Sequence, residues 1–366
     1  MIQYLKLGTL TRIKTGKLDA NAASDNGKYP FFTCSKEPLA IDSYSYDCEC
    51  VLVAGNGDLN VKYYNGQFDA YQRTYIIESL DKEKLMVKYL YYFLDLYVET
   101  LRQQAIGGVI KYIKLGNLTE AVIPIPSLEK QQEIVDVFEK CNGTIEYRRQ
   151  ELELLDRLVK SRFIEMFGDQ RTNPLGWDMV TIGDIATEVR YGTSRPAVEG
   201  GKFPYLRMNN LTYEGYLNLT DLKYIDIPDN EIEKCVVRNG DVLFNRTNSV
   251  ELVGKTCVYN LDYDMIIAGY IIRVRIDDRM LPVVLSNYLN STVLKEQLRS
   301  MAKGAVNQAN INAQELQSIP IYLPPIDLQH EFVAFVEQID KSKFEIQQSL
   351  EKLEILKKSL MQQYFG

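Results

Sequence analysis

The 366-residue sequence is poor in the residues that most enzymes use for acid–base or metal chemistry. It contains one histidine, His330, and six cysteines that form no C-x-x-C pair. A structural zinc site needs four well-placed donors, so we expect no metal site and reduced cysteines. With a single histidine, histidine-based general acid–base catalysis lacks its usual residue.

Glycine-rich loops that bind phosphates or cofactors are also missing. The run GKT (254–256) has the end of a phosphate-binding loop, but Ser249 stands where the pattern requires glycine. The run AGNGD (54–58) has G-x-G without a third glycine, and it predicts a hairpin turn instead. The closest match to the Asn/Asp-Pro-Pro-aromatic tetrapeptide of methyltransferases is NPLG (173–176), which fails the pattern. No catalytic constellation emerges from these residues.

The sequence further lacks a basic excess, a long apolar run and a signal-peptide core. Its net charge of −7 argues mildly against a nucleic-acid binder. Residues 1–126 carry 14 basic and 14 acidic residues, and residues 169–324 carry 16 and 19. A DNA ligand would therefore require basic residues clustered on one face, or phosphate contacts from partner subunits. The missing apolar segments predict a cytoplasmic location and no membrane contact.

What the sequence does contain is one segment twice. Residues 127–168 and 325–366 align without a gap at an offset of 198, and 13 of 42 positions are identical. Each copy follows Ile-Pro-Ile and ends in Phe-Gly. Apolar residues recur at three- and four-residue spacing in both copies, which predicts two long helices. Their similar apolar stripes favour an antiparallel coiled coil, and the alternative is that each helix packs on its own preceding domain.

The repeat divides the chain into four segments, with predicted boundaries at 1–126, 127–168, 169–324 and 325–366. We call residues 1–126 head 1 and residues 169–324 head 2. Both heads show short apolar runs between turn residues, which predict strands, and one longer apolar segment, which predicts a helix. The predicted strands are 29–33, 50–54 and 74–79 in head 1 and 203–208, 241–246 and 269–276 in head 2; the predicted helices are 85–104 and 281–301, and Asn65-Gly66 is a predicted turn.

Side chains of the kinds that read DNA cluster at the predicted turns of both heads. Arginine binds guanine through two hydrogen bonds, Asn and Gln bind adenine, and Ser, Thr and Lys hold phosphates. For any single residue, the alternative is a solvated loop or a local turn bond. The candidate DNA contacts are Lys14, Thr15, Lys17, Asn56, Tyr71, Gln72, Arg73, Lys111, Arg190, Tyr191, Thr193, Ser194, Arg195, Arg207, Asn209, Asn210, Arg246, Thr247, Asn248, Ser249, Asn307 and Gln308.

Together these motifs resemble a specificity subunit of a type I restriction–modification enzyme over essentially the whole chain. The residues that carry the resemblance are IPIPSLEKQQEIV and IPIYLPPIDLQHEFV before the helices, FPYLRMNN (203–210), GDVLFNRTNS (240–249) with GK (254–255), and VAGNGD (53–58) with FDAYQRTYII (68–77). The resemblance adds Lys255 to the candidate DNA contacts. It implies an α+β (α/β) fold, in which two target-recognition domains of mixed strands and helices are joined by two long antiparallel helices in a pseudo-two-fold repeat.

The resemblance also implies a function. Each head would read one half of a split double-stranded DNA target in the major groove, while the helices would set the gap and dock two modification subunits. Those partners would bind S-adenosylmethionine and methylate a flipped adenine. A separate restriction subunit would use ATP and Mg for translocation and cleavage. This chain would be non-catalytic and would hold no cofactor. The alternative function is a coiled-coil scaffold with protein-binding heads, which the charge of −7 favours.

Overall fold

The computed structural model describes residues 2–302 and 309–366, which divide into two compact units. Unit 1 comprises Met1–Arg149 and Gln347–Gly366, and unit 2 comprises Gln150–Ile346. Each unit therefore holds one head and part of each long helix. Because the division cuts through both helices, the four segment boundaries given above stay a prediction.

Head 1 is a mixed sheet with one main helix. The main sheet has six strands in the order β2-β7-β5-β6-β3-β4, and β1 pairs separately with β8. Neighbouring strands run antiparallel except β3 and β6, which are parallel. The elements are β1 (Gln3–Lys6), α1 (Leu7–Leu10), β2 (Thr11–Thr15), β3 (Tyr29–Phe32), β4 (Leu39–Ile41), β5 (Tyr46–Ala54), β6 (Val61–Ala70), β7 (Thr74–Ser79), α2 (Val87–Gln104), α3 (Leu115–Thr119) and β8 (Val122–Ile125), followed by the long helix α4 (Leu128–Phe167).

The predicted strands and helix of head 1 are confirmed, but one predicted turn is wrong. Asn65 and Gly66 lie inside β6, where they pair with Glu49 and Cys48 of β5. The local turn preference of Asn-Gly yields here to a long antiparallel ladder with a buried partner strand. The chain instead turns at residues 55–60, between β5 and β6, where AGNGD predicted a hairpin.

Head 2 repeats the plan with shorter strands. One sheet has the order β10-β18-β14-β16 and a second has the order β12-β11-β17-β13, with β11 parallel to β17. The elements are β9 (Asp178–Thr181), α5 (Ile182–Ile185), β10 (Ala186–Tyr191), β11 (Phe203–Leu206), β12 (Lys223–Ile225), α6 (Asp229–Cys235), β13 (Val236–Val237), β14 (Val242–Asn245), β15 (Thr247–Asn248), β16 (Thr256–Val258), β17 (Met265–Ile267), β18 (Ile271–Ile276), α7 (Pro282–Asn290), α8 (Thr292–Met301), β19 (Ala309–Asn310), α9 (Ala313–Gln317) and β20 (Pro320–Leu323), followed by the long helix α10 (Ile326–Phe365).

The single helix predicted over 281–301 is wrong, because the structure has two helices there. Ser291 ends α7 with extended backbone and begins α8, where its Oγ accepts a hydrogen bond from Leu294 N–H at 3.2 Å. Its hydroxyl also donates to Gln170 Oε1. A serine that satisfies a free helix N–H group favours a new helix start over continuation of the old one.

The long helices α4 and α10 are unbroken, and they run antiparallel within each unit. In unit 1, the Phe138 ring lies 6.1 Å from the Phe365 ring, and Arg149 pairs with Glu354 at 2.9 Å. The partner number falls as the α4 number rises, which defines the antiparallel direction. The alternative of helix-on-head packing also holds in part, since Phe138 stacks on Tyr92 of head 1 at 4.8 Å.

Unit 2 repeats this arrangement. The Phe163 ring of α4 lies 5.4 Å from the Phe332 ring of α10, and Lys343 pairs with Asp156. Phe163 also lies 6.3 Å from Tyr288 of head 2. Each unit thus buries an antiparallel helix pair against its own head, and the predicted helix pairing is confirmed in both.

A buried glutamine fixes the start of each long helix to its head. Gln131 Oε1 accepts a hydrogen bond from Met86 N–H at 2.9 Å, and its Nε2 donates to Lys84 O at 2.8 Å and Pro126 O at 3.1 Å. The side chain is fully buried, so all three bonds are shielded from water.

Gln329 makes the same joint in unit 2. Its Oε1 accepts from Leu281 N–H at 2.8 Å, and its Nε2 donates to Arg279 O at 2.9 Å and Pro324 O at 2.8 Å. The two glutamines are the first identical residues of the sequence repeat. We call Gln131 and Gln329, with their main-chain partners, the glutamine joints.

Candidate nucleic-acid interface

Two turns of head 1, those that follow β2 and β6, are joined by main-chain hydrogen bonds. Gly16 N–H donates to Thr74 O at 3.1 Å, and Gln72 N–H donates to Leu18 O at 2.9 Å. These bonds place the residues after β2 beside the short connection between β6 and β7.

The hairpin after β5 is attached to the same turns. Gly55 N–H donates to Arg73 O at 2.8 Å, and Gly57 N–H donates to Lys111 O at 2.9 Å. The sequence-predicted contacts of head 1 therefore lie close together, on these neighbouring turns or at the end of β2. These are Lys14, Thr15, Lys17, Asn56, Tyr71, Gln72, Arg73 and Lys111.

Basic side chains of head 1 differ in their availability. Lys14 pairs with Glu78 at 2.7 Å and lies over the Tyr46 ring at 4.9 Å. Lys17 and Arg73 are exposed, and neither has an ion pair within the described residues. Unpaired exposed cations at converging turns are suited to phosphate or base contacts.

The corresponding turns of head 2 are joined in the same way. Gly269 N–H donates to Thr193 O at 2.8 Å, and Arg246 N–H donates to Tyr270 O at 2.9 Å. The turns after β10, β14 and β17 thus meet, as do those after β2, β5 and β6 in head 1.

A glycine permits the closest approach in each head. A Cβ on Gly16 would lie 2.0 Å from Ala70 O, and a Cβ on Gly192 would lie 2.1 Å from Ile267 O. Only a residue without a side chain fits at such distances. The two glycines therefore hold equivalent turns together in two heads that differ in most of their side chains.

The converging turns of head 2 surround an open cavity of about 420 Å³. We call it the head 2 cavity. It gathers residues that are far apart in the sequence, because β10, β11, β14 and β17 end around it. The sequence-predicted contacts that line it are Thr193, Ser194, Arg195, Arg207, Asn209 and Arg246.

Two of the three cavity arginines are paired with carboxylates. Arg195 contacts Glu231 through Nε at 3.1 Å and a terminal nitrogen at 2.7 Å. Arg207 contacts Asp221 at 2.7 Å. Hydrogen bonds from these arginines lower the pKa of Glu231 and Asp221 below their ordinary values. Each pair therefore stays ionised at neutral pH.

The third arginine, Arg246, is held by an aromatic ring instead. Its guanidinium lies 4.8 Å from the ring centre of Tyr191, a cation–π contact. The Tyr191 hydroxyl accepts a hydrogen bond from Ala313 N–H at 2.7 Å, which fixes the ring. The neighbouring candidate Arg190 pairs with Glu188 at 3.1 Å on the exposed side of β10.

Three predicted contacts of head 2 lie in its interior. Asn210 Nδ2 donates to Asn218 O at 2.7 Å, Thr247 Oγ1 donates to Asn310 Oδ1 at 2.8 Å, and Lys255 Nζ donates to Met208 O at 3.1 Å. All three side chains are buried, and burial lowers the pKa of Lys255. Their polar groups stabilise the turns around the cavity, so the DNA surface proposed below excludes them.

The other members of the NRTNS run have mixed positions. Asn248 is half-buried and its Nδ2 donates to Asn245 Oδ1 at 3.1 Å, whereas Ser249 is exposed. The candidates Asn307 and Gln308 lie outside the described residues.

Sequence reasoning missed several surface residues near the candidate sites. Tyr270 lines the head 2 cavity, and 54% of its surface is exposed. It lies within the predicted strand 269–276, directly before β18 begins at Ile271. In head 1, Val109 and Ile110 are 103% and 62% exposed beside Lys111. The available signal was that these apolar residues directly follow the pair Gly107-Gly108.

Three other features, a metal site, a disulfide and a membrane-spanning helix, are absent from the residues that the structure describes. Over residues 2–302 and 309–366, no group of three or more His, Cys, Asp or Glu side chains could hold a metal ion. The six cysteines are free. None of the helices within these ranges has both the length and the apolar character needed to cross a bilayer.

Comparison with known proteins gives one consistent family. The family model described as "Type I restriction modification DNA specificity domain" matches residues 2–157 and 174–357. The chain is 26% identical over 409 aligned residues to the type I restriction enzyme EcoDI specificity subunit of Escherichia coli, covering 99% of this chain and 87% of that protein. It is 23% identical to the EcoKI specificity subunit of the same species, over 74% of this chain and 62% of that protein.

Solved structures show the same fold. The S subunit of a type I restriction–modification system from M. genitalium superposes with a TM-score of 0.61 at 17% identity, covering 100% of this chain and 96% of that chain. A chain from a study of complex assembly in the type I R-M system superposes with a TM-score of 0.60 at 18% identity, covering 99% and 97%.

Proposed function

Since the chain belongs to the type I restriction–modification DNA specificity family, we propose that it is the sequence-recognition subunit of such an enzyme. Head 1 reads one half of a split double-stranded DNA target, and head 2 reads the other. The helices α4 and α10 set the gap between the halves.

The observation that carries this proposal is that three turns come together in the same way in head 1 and in head 2. Each head joins three turns of one plan around a glycine with no room for a side chain, and each places different polar residues there. A fixed frame with variable polar side chains suits two domains that read two different base sequences. Scaffold loops that bind one common protein would not need different chemistry at equivalent turns.

The net charge of −7 has to be reconciled with DNA binding. Phosphate contacts supply most of the non-specific affinity of DNA-binding proteins, and they require many cations. Lys17 and Arg73, which have no ion pair among the described residues, lie at the proposed surface of head 1, while the acidic surplus is spread over the helices and head 2. We propose that the partner subunits supply the missing phosphate contacts.

The long helices offer a surface for those partners. Several of their large apolar side chains remain exposed, which is typical of protein-binding surfaces. In unit 1 these are Tyr147, Ile355 and Leu356; in unit 2 they are Leu154, Leu158, Ile164 and Phe344. We propose that two modification subunits dock on these faces.

The chemistry of the assembled enzyme belongs to its partners in this proposal. The modification subunits bind S-adenosylmethionine and methylate a flipped adenine, and a restriction subunit, where one joins, uses ATP and Mg to translocate and cleave DNA. This chain contributes recognition and spacing, and it acts in the cytoplasm with its DNA.

The experiment is single-molecule sequencing for methylated adenine in DNA from cells that express this chain with its modification partner. We expect a split motif with a fixed gap, absent from cells that express the partner alone. The partner's activity is verified with another specificity subunit. No new methylation under those conditions would favour a coiled-coil scaffold with protein-binding heads.

Two variants connect the motif to the structure. Alanines at Arg246, Asn248 and Ser249, the members of the 245–249 run that are not fully buried or excluded above, are expected to erase discrimination in one half of the motif only, because this run belongs to head 2. An added heptad near Leu155 is expected to change the gap or abolish binding, because it lengthens α4 by about 10 Å. Loss in both halves, or an unchanged gap with full activity, would contradict the proposal.

A further inference from the structure

The three arginines around the head 2 cavity differ in what they already bind. Arg195 and Arg207 direct nitrogens to Glu231 and Asp221. Arg246 has no carboxylate partner and no side-chain hydrogen bond within residues 2–302 and 309–366. A guanidinium carries five N–H donors, so Arg246 faces the cavity with its hydrogen-bonding capacity unused.

Arg246 is nonetheless held in place. Its main-chain N–H donates to Tyr270 O at 2.9 Å, and its carbonyl accepts from Ile311 N–H at 2.9 Å. Its guanidinium rests on the Tyr191 ring at 4.8 Å. A side chain fixed before binding loses little conformational entropy when a ligand arrives.

Buried donors in the same cavity lack acceptors. The Nε atoms of Arg246 and Arg207 are buried, and neither has a hydrogen-bond partner among the described residues. Leaving a buried donor unpaired is unfavourable, because the group has lost its hydrogen bonds to water and has gained none in exchange. The cavity is therefore complementary to a ligand that presents hydrogen-bond acceptors.

We propose that Arg246 reads a guanine in the half-site bound by head 2, by donating two hydrogen bonds to guanine O6 and N7. The inference rests on the proposed function, and it adds the base and the residue that recognises it. Guanine is the base whose major-groove edge offers two adjacent acceptors to a guanidinium.

The surroundings favour a base over a phosphate. Glu231 and Asp221 lie at the paired arginines, and their negative charges oppose a phosphate more than a neutral base. Ala197, Met208 and Ala268 supply apolar lining to the cavity. Mixed charge with apolar contacts is suited to a base edge, whereas a phosphate site is rich in unpaired cations and main-chain N–H groups.

The test uses the full chain assembled with its modification subunits and duplexes that carry the motif found by sequencing. Each position of each half is changed to the other three base pairs, and affinity is measured at several salt concentrations. We expect Arg246→Ala to lose preference at one G·C pair, in one half only, by about 5- to 150-fold. For the wild type, 7-deazaguanine at that position, which lacks the N7 acceptor, weakens binding, and for Arg246→Ala it has no further effect.

Two further variants keep the result interpretable. Arg246→Lys retains the charge and can still donate to O6 and N7, but it lacks the planar guanidinium fork. We expect it to keep a weakened guanine preference while the chain stays folded. Arg171→Ala removes an exposed arginine paired with Glu296 at 2.6 Å, and it is the charge-matched control. It is expected to leave base preference intact.

The outcomes separate the inference from the proposed function. Uniform weakening across all sequences, with a salt slope reduced by about one, would identify a phosphate contact and overturn the inference. A head 2 half-site without guanine would also overturn it. In both cases the wild type still binds a split motif, whereas failure of the proposed function would leave no split motif.

Discussion

Head 1 and head 2 share the same main-chain arrangement at their converging turns, but the side chains at those turns differ. The parallel pairs β3–β6 and β11–β17 are equivalent, and Gly16 and Gly192 make the same close contact beside them. Around this contact, head 1 presents an exposed arginine and lysines, whereas head 2 encloses three arginines in a cavity. Main-chain bonds therefore hold equivalent turns together in both heads, whereas the side chains at those turns differ.

Changes at the glutamine joints are expected to have the largest effect on stability, and they test whether the two heads are equivalent. Gln131→Glu and Gln329→Glu keep the size of the side chain but remove the donor for two buried carbonyls. Each is expected to lower the free energy of unfolding by about 4 kcal/mol. Urea unfolding measures the loss, and hydrogen exchange locates it in unit 1 for the first variant and in unit 2 for the second.

The neighbouring Gln132 is the matched control for these variants, because it is exposed and its Nε2 donates to the Asp136 side chain and not to a buried carbonyl. Gln132→Glu is expected to change stability by less than about 0.5 kcal/mol. If it destabilised the chain as much as Gln131→Glu, the joint would not be the source of the effect.

The shared glycines give the next effect. Gly16→Ala and Gly192→Ala each place a Cβ against main-chain oxygen, and each is expected to destabilise its own head by about 3 kcal/mol. Methylation sequencing is expected to show weakened discrimination in one half of the motif for one variant and in the other half for the other. Gly116→Ala, where a Cβ meets no atom within 4 Å, should preserve both halves. Loss in the same half for both variants would break the equivalence of the heads.

A buried lysine in head 2 is expected to make the stability of the chain depend on pH. The pair Leu298-Arg299 of head 2 matches Leu101-Arg102 of head 1, so Lys295 takes the sequence position of Val98. Burial lowers the pKa of Lys295 to about 7. Above pH 7 the folded chain releases this proton while the unfolded chain keeps it, so stability rises with pH until the ordinary lysine pKa is reached. Lys295→Val is expected to remove a gain on the order of 2 kcal/mol between pH 7 and pH 9.

Urea unfolding at the two pH values measures this gain, and the Val variant serves as its own reference because its other titrating groups are unchanged. Lys295→Met repeats the test with a side chain of similar length. A wild-type gain no larger than that of both variants would contradict the buried, proton-releasing lysine.

The ion pairs between α4 and α10 give the smallest effect. Lys343 is largely covered, contacts Asp156 and lies 4.0 Å from the Tyr216 ring, whereas the unit 1 pair of Arg149 and Glu354 is about half exposed. Lys343→Ala is expected to lower the free energy of unfolding by about 1 kcal/mol, and Arg149→Ala by less than about 0.5 kcal/mol. If urea unfolding gave equal losses for the two variants, solvent exposure would not determine how much each ion pair stabilises the chain.

Much of the fold could be predicted from the sequence because its signals are local or repeated. The helix pair follows from a duplicated apolar spacing, and β7 and α2 follow from continuous apolar runs. The break at Ser291 was missed because the apolar run continues through it, although a serine that can cap Leu294 N–H is a local signal. Asn65-Gly66 was misread because β5 determines its conformation from across the sheet.

The candidate sites were predictable by residue type but not by orientation. Arg195, Arg207 and Arg246 were identified because arginines in turns are common base readers. That Lys255 and Asn210 point inward depends on main-chain partners such as Met208 O and Asn218 O, which only the folded chain brings near. The same reason prevented the cavity itself from being foreseen.

The glutamine joints have a consequence for how such chains change over generations. Among the described residues, the hydrogen bonds of Gln131 and Gln329 all go to main-chain atoms, at residues 84–86 and 126 for the first and 279–281 and 324 for the second. The connection is therefore indifferent to the amino acids that a head displays. A foreign head with the same backbone at this junction could be spliced in by recombination without redesign of the helices, and a new target would be acquired in a single genetic exchange.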